Sequence, residues 1–226
     1  MEKLIELYTQ WRGAEPANVQ QIPGGGSNRT YFRLTDQQGQ SVIGVIGTSR
    51  DEDHAFIYLT KHFSRLQMPV PKILAASDDQ LRYLQTDLGS MSLFDAIRGG
   101  REACGRYTLK EQELLRRTIR ELPKMQIQGA RDLEFDNCYP QAEFDVDSVL
   151  FDLNYFKYCF LKATEIDFHE LKLEADFRLM AKDLTSEQSD SFLYRDFQAR
   201  NVMLDHDGNP WFIDYQGGRK GPFYYD

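Results

Sequence analysis

The spacing of apolar residues changes along the chain. Near the N-terminus, Leu4, Tyr8 and Trp11 recur at helical spacing, which predicts an amphipathic helix. Short runs rich in β-branched and aromatic residues follow at 30–34 and 42–46, separated by turn-forming residues at 36–39. This second pattern predicts antiparallel strands joined by tight turns. The chain therefore opens with a helix followed by a small β-rich region.

One helix and two further strands complete this first region. Residues 51–66 carry Phe56, Leu59 and Phe63 on one helical face, and Pro69 and Pro71 prevent the helix from continuing. Strand-like segments then occupy 72–76 and 81–86. A connector near residues 85–90 follows the second of these segments.

Helical spacing dominates from residue 87 onward. It predicts helices over 92–98, 108–128, 145–161 and 167–184, with Pro123 as a kink or stop in the second. Short strands at 202–204 and 211–213 flank a turn-rich hexapeptide, as in a hairpin. The sequence thus predicts an α+β chain with two lobes, a β-rich lobe over 1–86 and a larger, mostly helical lobe over 87–226.

Composition excludes several classes of function. The 27 basic and 35 acidic residues leave a net charge of −8, which argues against binding to nucleic acid or to anionic membranes. The three cysteines, at 104, 138 and 159, have no spacing typical of a zinc site or a disulfide framework. No apolar run approaches the roughly 20 residues that span a bilayer. We therefore expect a cytoplasmic protein.

The strongest chemical signal lies in YRDFQARN (194–201) and FIDYQGG (212–218). Asp196 precedes the amide Asn201 by five positions, and a second acid, Asp214, closes an apolar strand beyond the hairpin. Phosphoryl transfer needs a carboxylate to orient the acceptor hydroxyl, and an amide and a carboxylate oxygen to hold Mg²⁺. The joint pattern therefore favours phosphoryl transfer, although an isolated DxxxxN is common and an Asp at a strand end can equally be a turn former or a helix cap.

A second signal is the glycine-rich segment IPGGGSNRTYFRL at 22–34. Glycines let backbone amides approach a phosphate closely, so this segment could cover a nucleotide. A flexible turn is the other interpretation, and no GxxxxGK[ST] motif is present.

Together these motifs resemble the aminoglycoside-phosphotransferase-like, or protein-kinase-like, small-molecule kinases. The similarity is greatest to the branch that phosphorylates N-acetylmuramate and N-acetylglucosamine at the anomeric hydroxyl. The resemblance implies a bilobal kinase-like fold, with ATP and Mg²⁺ as cofactors and a hinge over 85–88 that meets the adenine. It also implies Asp196 as the catalytic base, and Asn201 and Asp214 as the Mg²⁺ ligands. The nucleotide-binding residues expected on this basis are Gly25, Gly26, Ser27, Asn28, Arg29, Gln85, Asp87 and Leu88.

The sequence departs from most kinases of this fold at several positions. The strand SVIGVIG has no lysine to hold the phosphates, and Gly44 lies near the expected place. The positive charge that holds the phosphates then comes from Arg29 or Arg33, unless both are ordinary solvated strand arginines. Tyr194 replaces the usual histidine, and the chain stops at Asp226, before the family's remaining helices. We therefore expect a C-terminally incomplete lobe and allow for a fused domain downstream.

The acceptor is the least defined part of the prediction. Asp152 and Asn154 on the helix over 145–161, together with Arg200, are the expected acceptor-binding residues, although this helix equally fits a core role. An aminoglycoside or an amino alcohol is an alternative acceptor. A catalytically dormant nucleotide-binding regulatory module is the alternative from another class.

Overall fold

The computed structural model describes residues 1–23, 28–186 and 190–226. Five antiparallel strands form its main sheet, in the spatial order β1-β2-β3-β5-β4. The strands are β1 (Asn18–Ile22), β2 (Thr30–Thr35), β3 (Ser41–Ile46), β4 (Ile73–Ala76) and β5 (Arg82–Thr86). The predicted strands are present, and β1 adds an edge strand that the residue pattern alone did not single out.

Helices cover both faces of this sheet. On one face lies α1 (Glu2–Arg12), which buries Leu4 and Tyr8 against the sheet. On the other lies α2 (Arg50–Arg65), whose Phe56 and Phe63 join the main core. Because β-strand side chains alternate between faces, neighbouring strand residues enter two separate cores. The first predicted helix and the helix over 51–66 are both confirmed.

The second half of the chain is mostly helical. Its helices are α3 (Leu93–Ala96), α4 (Arg98–Glu102), α5 (Leu109–Pro123), α6 (Val146–Phe156) and α7 (Glu170–Leu184). Thr108 and Glu111 form a capping box that starts α5. Pro123 is its last α-helical residue, but the chain continues as a π-helical turn over Lys124–Gln128. A similar turn over Lys157–Leu161 extends α6.

Four short strands follow the helices. The strands β6 (Phe192–Leu193) and β9 (Arg219–Lys220) pair with each other, and β7 (Val202–Leu204) forms a hairpin with β8 (Pro210–Phe212). The β6–β9 pair was not predicted, because two-residue strands leave no periodic signal.

One apolar core joins the two halves of the molecule. It contains Val45 of the sheet, Phe63 of α2, Met125, and Phe192 and Tyr215 from the second half. The α+β class is confirmed, whereas the lobe boundary at residue 86 stays a prediction. No helix of the described segments is long and apolar enough to cross a bilayer.

Candidate active site

The loop that carries Asp196 is fixed at its start by Asp226. The Asp226 carboxylate accepts hydrogen bonds from the backbone N–H groups of Tyr194 (2.8 Å) and Arg195 (2.7 Å) and from the Gln126 amide (3.0 Å). Arg195 has a left-handed backbone, with φ 75°, which a non-glycine residue adopts only when the surroundings hold it there. Asp226 therefore sets the backbone path that presents Asp196.

Asn201 and Asp214 lie on the same side of this loop. The Asn201 side-chain amide donates to the Asp196 carbonyl oxygen (3.0 Å), and the Ile213 N–H donates to the Asn201 carbonyl oxygen (3.0 Å). The buried Tyr194 hydroxyl adds a third link, donating to the Ile213 carbonyl oxygen (2.5 Å). These bonds tie the loop that carries Asp196 to the strand end that carries Asp214, so the three predicted residues lie on adjoining segments.

Electrostatics also link the two carboxylates. One side of Asp196 is open to solvent. The protein around it nevertheless removes part of its hydration, which raises the pKa of the Asp196 carboxyl, and the negative charge of Asp214 raises it further. Such a shift requires Asp214 to lie close by. A cation between the two carboxylates would offset this repulsion.

The donor set fits Mg²⁺. The nitrogen of the Asn201 amide is used in the bond to Asp196, so its oxygen is the end left for a ligand. Asp214 and Asn201 line one cavity, and the Gln216 amide donates to the Asp214 carboxylate (3.0 Å) and orients it. The described residues hold no cluster of three or more His, Cys, Asp or Glu that could bind a metal. One carboxylate and one amide oxygen suit Mg²⁺, which keeps several waters and uses phosphate oxygens.

A cavity of about 310 Å³ adjoins Asn201 and Asp214. Apolar residues from the sheet and the hairpin form its walls, which is typical of a site for a flat ring. The lining includes Ile22, Ile43, Gln85, Leu88, Met203 and Ile213. Asp87 and Arg29 also line it. Asn28 is exposed and is not among the lining residues, and Gly25, Gly26 and Ser27 lie outside the described residues.

Gln85 presents an unsatisfied amide to this cavity. The residue is 8% exposed, and its side-chain oxygen is buried without a partner among the described residues. No described residue bonds to its amide nitrogen either. A buried amide without hydrogen bonds is unfavourable unless a ligand satisfies it.

The third strand, β3, offers no lysine on its cavity side to hold the phosphates. A Cβ built on Gly44 would lie 2.8 Å from Leu34 and 3.0 Å from Leu4, so position 44 faces α1. Gly44 lies near the expected lysine position, but it faces away from the cavity. Because side chains alternate along a strand, the neighbours Ile43 and Val45 face the cavity side, and both are apolar.

Arg29 brings a positive charge to the cavity. Its guanidinium is buried and donates to the Asp53 carboxylate of α2 (2.8 Å), with Glu52 at 3.2 Å. Arg33, the other candidate, bonds instead to Asp87 (2.5 and 3.0 Å) and to the Gly89 carbonyl oxygen (3.0 Å). Arg33 thus fixes the connector, and only Arg29 of the two lines the cavity.

A second cavity, of about 470 Å³, opens on the other side of Asp196. Asp196 lines this cavity, and Gln216 lines both cavities, so the two adjoin at Gln216. Most residues that line the second cavity are polar or charged, but the lining also includes the exposed ring of Phe151. Asp147 and Ser148 of α6 also line it.

Comparisons with known proteins identify the family. The profile of the phosphotransferase enzyme family matches residues 18–226, nearly the whole chain. The chain belongs to this family. The fold class and the enzyme class predicted from the sequence are therefore confirmed: the protein is a phosphotransferase with a kinase-like fold.

Solved structures agree with this fold. A streptomycin–ATP–APH(2″)-IIa ternary complex is 12% identical, with TM-score 0.64 over 100% of this chain and 75% of that one. Choline kinase LicA from Streptococcus pneumoniae is 15% identical, with TM-score 0.64 over 100% and 72%. A GDP and kanamycin complex of APH(2″)-IIia is 11% identical, with TM-score 0.61 over 100% and 76%. Comparison with the curated proteins finds no match.

The predicted acceptor residues of this phosphotransferase do not line the second cavity. Asp152 bonds to Arg195 (2.8 Å), and the Asn154 amide donates to the Leu150 carbonyl oxygen of its own helix (2.9 Å). Arg200 lines the first cavity instead. Because α6 presents successive residues about 100° apart, its cavity side falls at 147, 148 and 151 rather than at 152 and 154.

Several residues of the site escaped sequence reasoning. Asp226, Arg219 and Gln216 approach the loop only through the tertiary fold. The glycine pair after Gln216 was the available signal, because Gly218 leaves no room for a Cβ, which would lie 2.2 Å from the Phe192 ring.

Proposed function

We propose that this phosphotransferase transfers the γ-phosphoryl group of ATP, with Mg²⁺, to a hydroxyl group of an amino sugar such as N-acetylmuramate or N-acetylglucosamine, in the cytoplasm. The observation that carries the proposal is a pair of cavities that share Gln216: Asp196 lines one of them, and Asn201 and Asp214 line the other. One cavity suits a nucleotide, and the other suits a small polar acceptor.

The first cavity takes the nucleotide between the lobe over 1–86 and the lobe over 87–226. The unsatisfied Gln85 amide can donate to and accept from the edge of the base, and the connector at Asp87 and Leu88 borders the same edge. Arg29, held by Asp53, supplies the charge for the phosphates. Gly25, Gly26, Ser27 and Asn28 belong to the segment proposed to cover them.

Asp196 acts on the acceptor. Its carboxylate accepts the proton of the attacking hydroxyl while the oxygen bonds to the γ-phosphorus and the bond to the β,γ-bridging oxygen breaks, releasing ADP. Asn201 and Asp214 would hold Mg²⁺, which when bound neutralises charge on the phosphate oxygens. The raised pKa of Asp196 makes it a stronger base than a carboxylate at its ordinary pKa.

The second cavity supports a sugar as the acceptor. Phe151 offers a ring that can cover the apolar face of a sugar, and Ser148 and Gln141 offer hydrogen-bonding groups for its hydroxyls.

A cationic acceptor is the second candidate, because Asp147 adds a carboxylate to this cavity. Two of the similar structures are named as complexes with the aminoglycosides streptomycin and kanamycin, and a third as a choline kinase.

An acceptor panel tests the proposal. ADP release is measured with N-acetylmuramate, N-acetylglucosamine, choline and kanamycin, using wild-type protein and Asp196→Asn. Acceptor-dependent turnover with an amino sugar, absent in the variant, supports the proposal. Turnover only with choline or kanamycin supports the second candidate. Nucleotide binding without turnover on any acceptor supports the dormant regulatory module.

A further inference from the structure

Arg219 is a buried cation at the wall of the second cavity. The residue is 4% exposed, and its Nε donates to the Gly217 carbonyl oxygen (3.1 Å). Across the described segments 1–23, 28–186 and 190–226, no carboxylate lies within 4.0 Å of its guanidinium, and its two terminal nitrogens make no hydrogen bond. Burying a charge without a counter-charge is unfavourable, so this arrangement calls for a ligand.

The nearest acids are already used by other groups. Asp152 bonds to Arg195 (2.8 Å), and Asp145 accepts from the Ser148 N–H (2.9 Å) at the start of α6. The guanidiniums of Arg195 and Arg219 both lie near the Phe144 ring, at 5.6 and 5.8 Å from its centre. Burial lowers the pKa of the Arg219 guanidinium, and the charge of Arg195 lowers it further. Because Arg195 is paired with Asp152, Arg219 is the guanidinium of this cavity that has no carboxylate partner among the described residues, although Glu52, Asp147 and Asp196 also line the cavity.

Gly217 links Arg219 to the catalytic residue. A Cβ built on Gly217 would lie 3.7 Å from the Asp196 carboxylate, while the Gly217 carbonyl oxygen fixes the Arg219 side chain. Arg219 and Asp196 also line the same cavity. A group bound at Arg219 would therefore belong to the molecule whose hydroxyl meets Asp196.

Gln216, which lines the same cavity as Arg219, carries a second unsatisfied group. The Gln216 side-chain oxygen is buried and has no partner among the residues that the structure describes. Its amide nitrogen is held by Asp214 (3.0 Å), so the oxygen is left to accept a hydrogen bond. An acceptor that brings an anionic group to Arg219 and a hydroxyl to Gln216 would satisfy both residues.

We propose that Arg219 binds an anionic substituent of the acceptor, a carboxylate or a phosphate ester, and so selects acidic sugars over neutral or cationic ones. This inference rests on the proposed function and narrows its acceptor. A guanidinium suits this task because its planar N–H groups match the two oxygens of a carboxylate or phosphate. Asp147, elsewhere on the cavity lining, would contact a neutral part of the sugar.

The test compares Arg219→Gln with wild-type protein on three matched sugars. N-acetylglucosamine is the neutral acceptor, N-acetylmuramate adds a carboxylate, and N-acetylglucosamine 6-phosphate adds a phosphate. We expect kcat/KM to favour one of the acidic sugars in the wild type. Arg219→Gln should reduce that value by about 10- to 100-fold, the range for losing hydrogen bonds to a charged group. The value for the neutral sugar should change less than about threefold, as should the KM for ATP.

Two further variants separate specificity from folding. Arg219→Lys keeps the charge but loses the paired geometry, so its preference should be intermediate. Arg178→Gln removes an exposed arginine of α7 and serves as the matched control. Equal loss on all three sugars, an unchanged preference in Arg219→Gln, or no wild-type preference for either acidic sugar would overturn the proposal.

A binding measurement tests the anion site separately from the proposed function. If no sugar is phosphorylated, titration calorimetry of the two acidic sugars with wild-type protein and Arg219→Gln still tests the anion site. Binding of an acidic sugar that is weakened at least tenfold in the variant supports the site. Absence of binding to the wild type, or equal binding to both proteins, overturns it.

Discussion

Replacing Asp226 by Asn tests whether one carboxylate holds the catalytic loop. In the wild type this carboxylate accepts two backbone hydrogen bonds, from Tyr194 and Arg195. An amide of the same shape still accepts one of them, but its NH₂ group faces the other N–H. The variant therefore removes one bond to a charged group and leaves one buried donor unpaired.

The expected loss of folding stability follows from these contacts. A hydrogen bond to a charged group contributes about 1.5–3 kcal/mol. Burial disfavours the charged carboxylate of Asp226 and so raises its pKa. The hydrogen bonds from Tyr194, Gln126 and Arg195 stabilise the charged form and offset part of that rise. We therefore expect the lower half of the range, about 2 kcal/mol for Asp226→Asn. Asp226→Ala should lose more, about 3 kcal/mol, because both donors lose their partner.

Two assays measure the effect. Guanidinium unfolding followed by tryptophan fluorescence gives the free energy of unfolding, and initial rates at saturating substrates give kcat. Displacement of Asp196 by about 1 Å should lower kcat by about 100-fold. Asp190→Asn, at an exposed carboxylate that pairs with Lys220, is the control and should change stability by less than about 0.5 kcal/mol. If Asp226→Asn unfolds and turns over like the wild type, the anchoring role is refuted.

Three other predictions test the site and its supports. Asp196→Asn should lower kcat at least about 100-fold with nearly unchanged nucleotide affinity, measured by ADP release and calorimetry; wild-type rates would exclude it as the base. Gly47→Ala should weaken ATP binding, because its Cβ would lie 1.6 Å from the Asp53 carboxylate that holds Arg29; an unchanged KM for ATP would contradict this. Burial opposes ionisation of Asp87, but bonds from Arg33, Ser41 and Gly89 outweigh it and lower its pKa. Its stabilisation is therefore present above the unfolded pKa of about 3.9 and is lost as pH falls through the lower folded value. Thermal unfolding should show that Asp87→Asn is less stable than the wild type by about 1.5–3 kcal/mol at pH 7. If this difference in stability does not narrow below about pH 4, the stated direction of the Asp87 pKa shift is refuted.

Local patterns predicted most of the architecture. The strands of the main sheet except β1, and the long helices, follow from apolar periodicity and from turn residues, because both signals act over neighbouring positions. The order of Asp196, Asn201 and Asp214 also predicted phosphoryl transfer, and the family match confirms that enzyme class. Their individual roles stay predictions.

Only the tertiary structure decided which side chains face which cavity. A shift of one strand position moves a side chain to the opposite face, which separates Gly44 from Ile43, and one helical position separates Asp152 from Phe151. The sequence by itself determined the types of chemical group and their order along the chain. Contacts between segments far apart in sequence, such as Asp226 with Tyr194 and Arg29 with Asp53, decided where those groups act. Such contacts depend on the packing of whole elements and leave no periodic trace in the sequence.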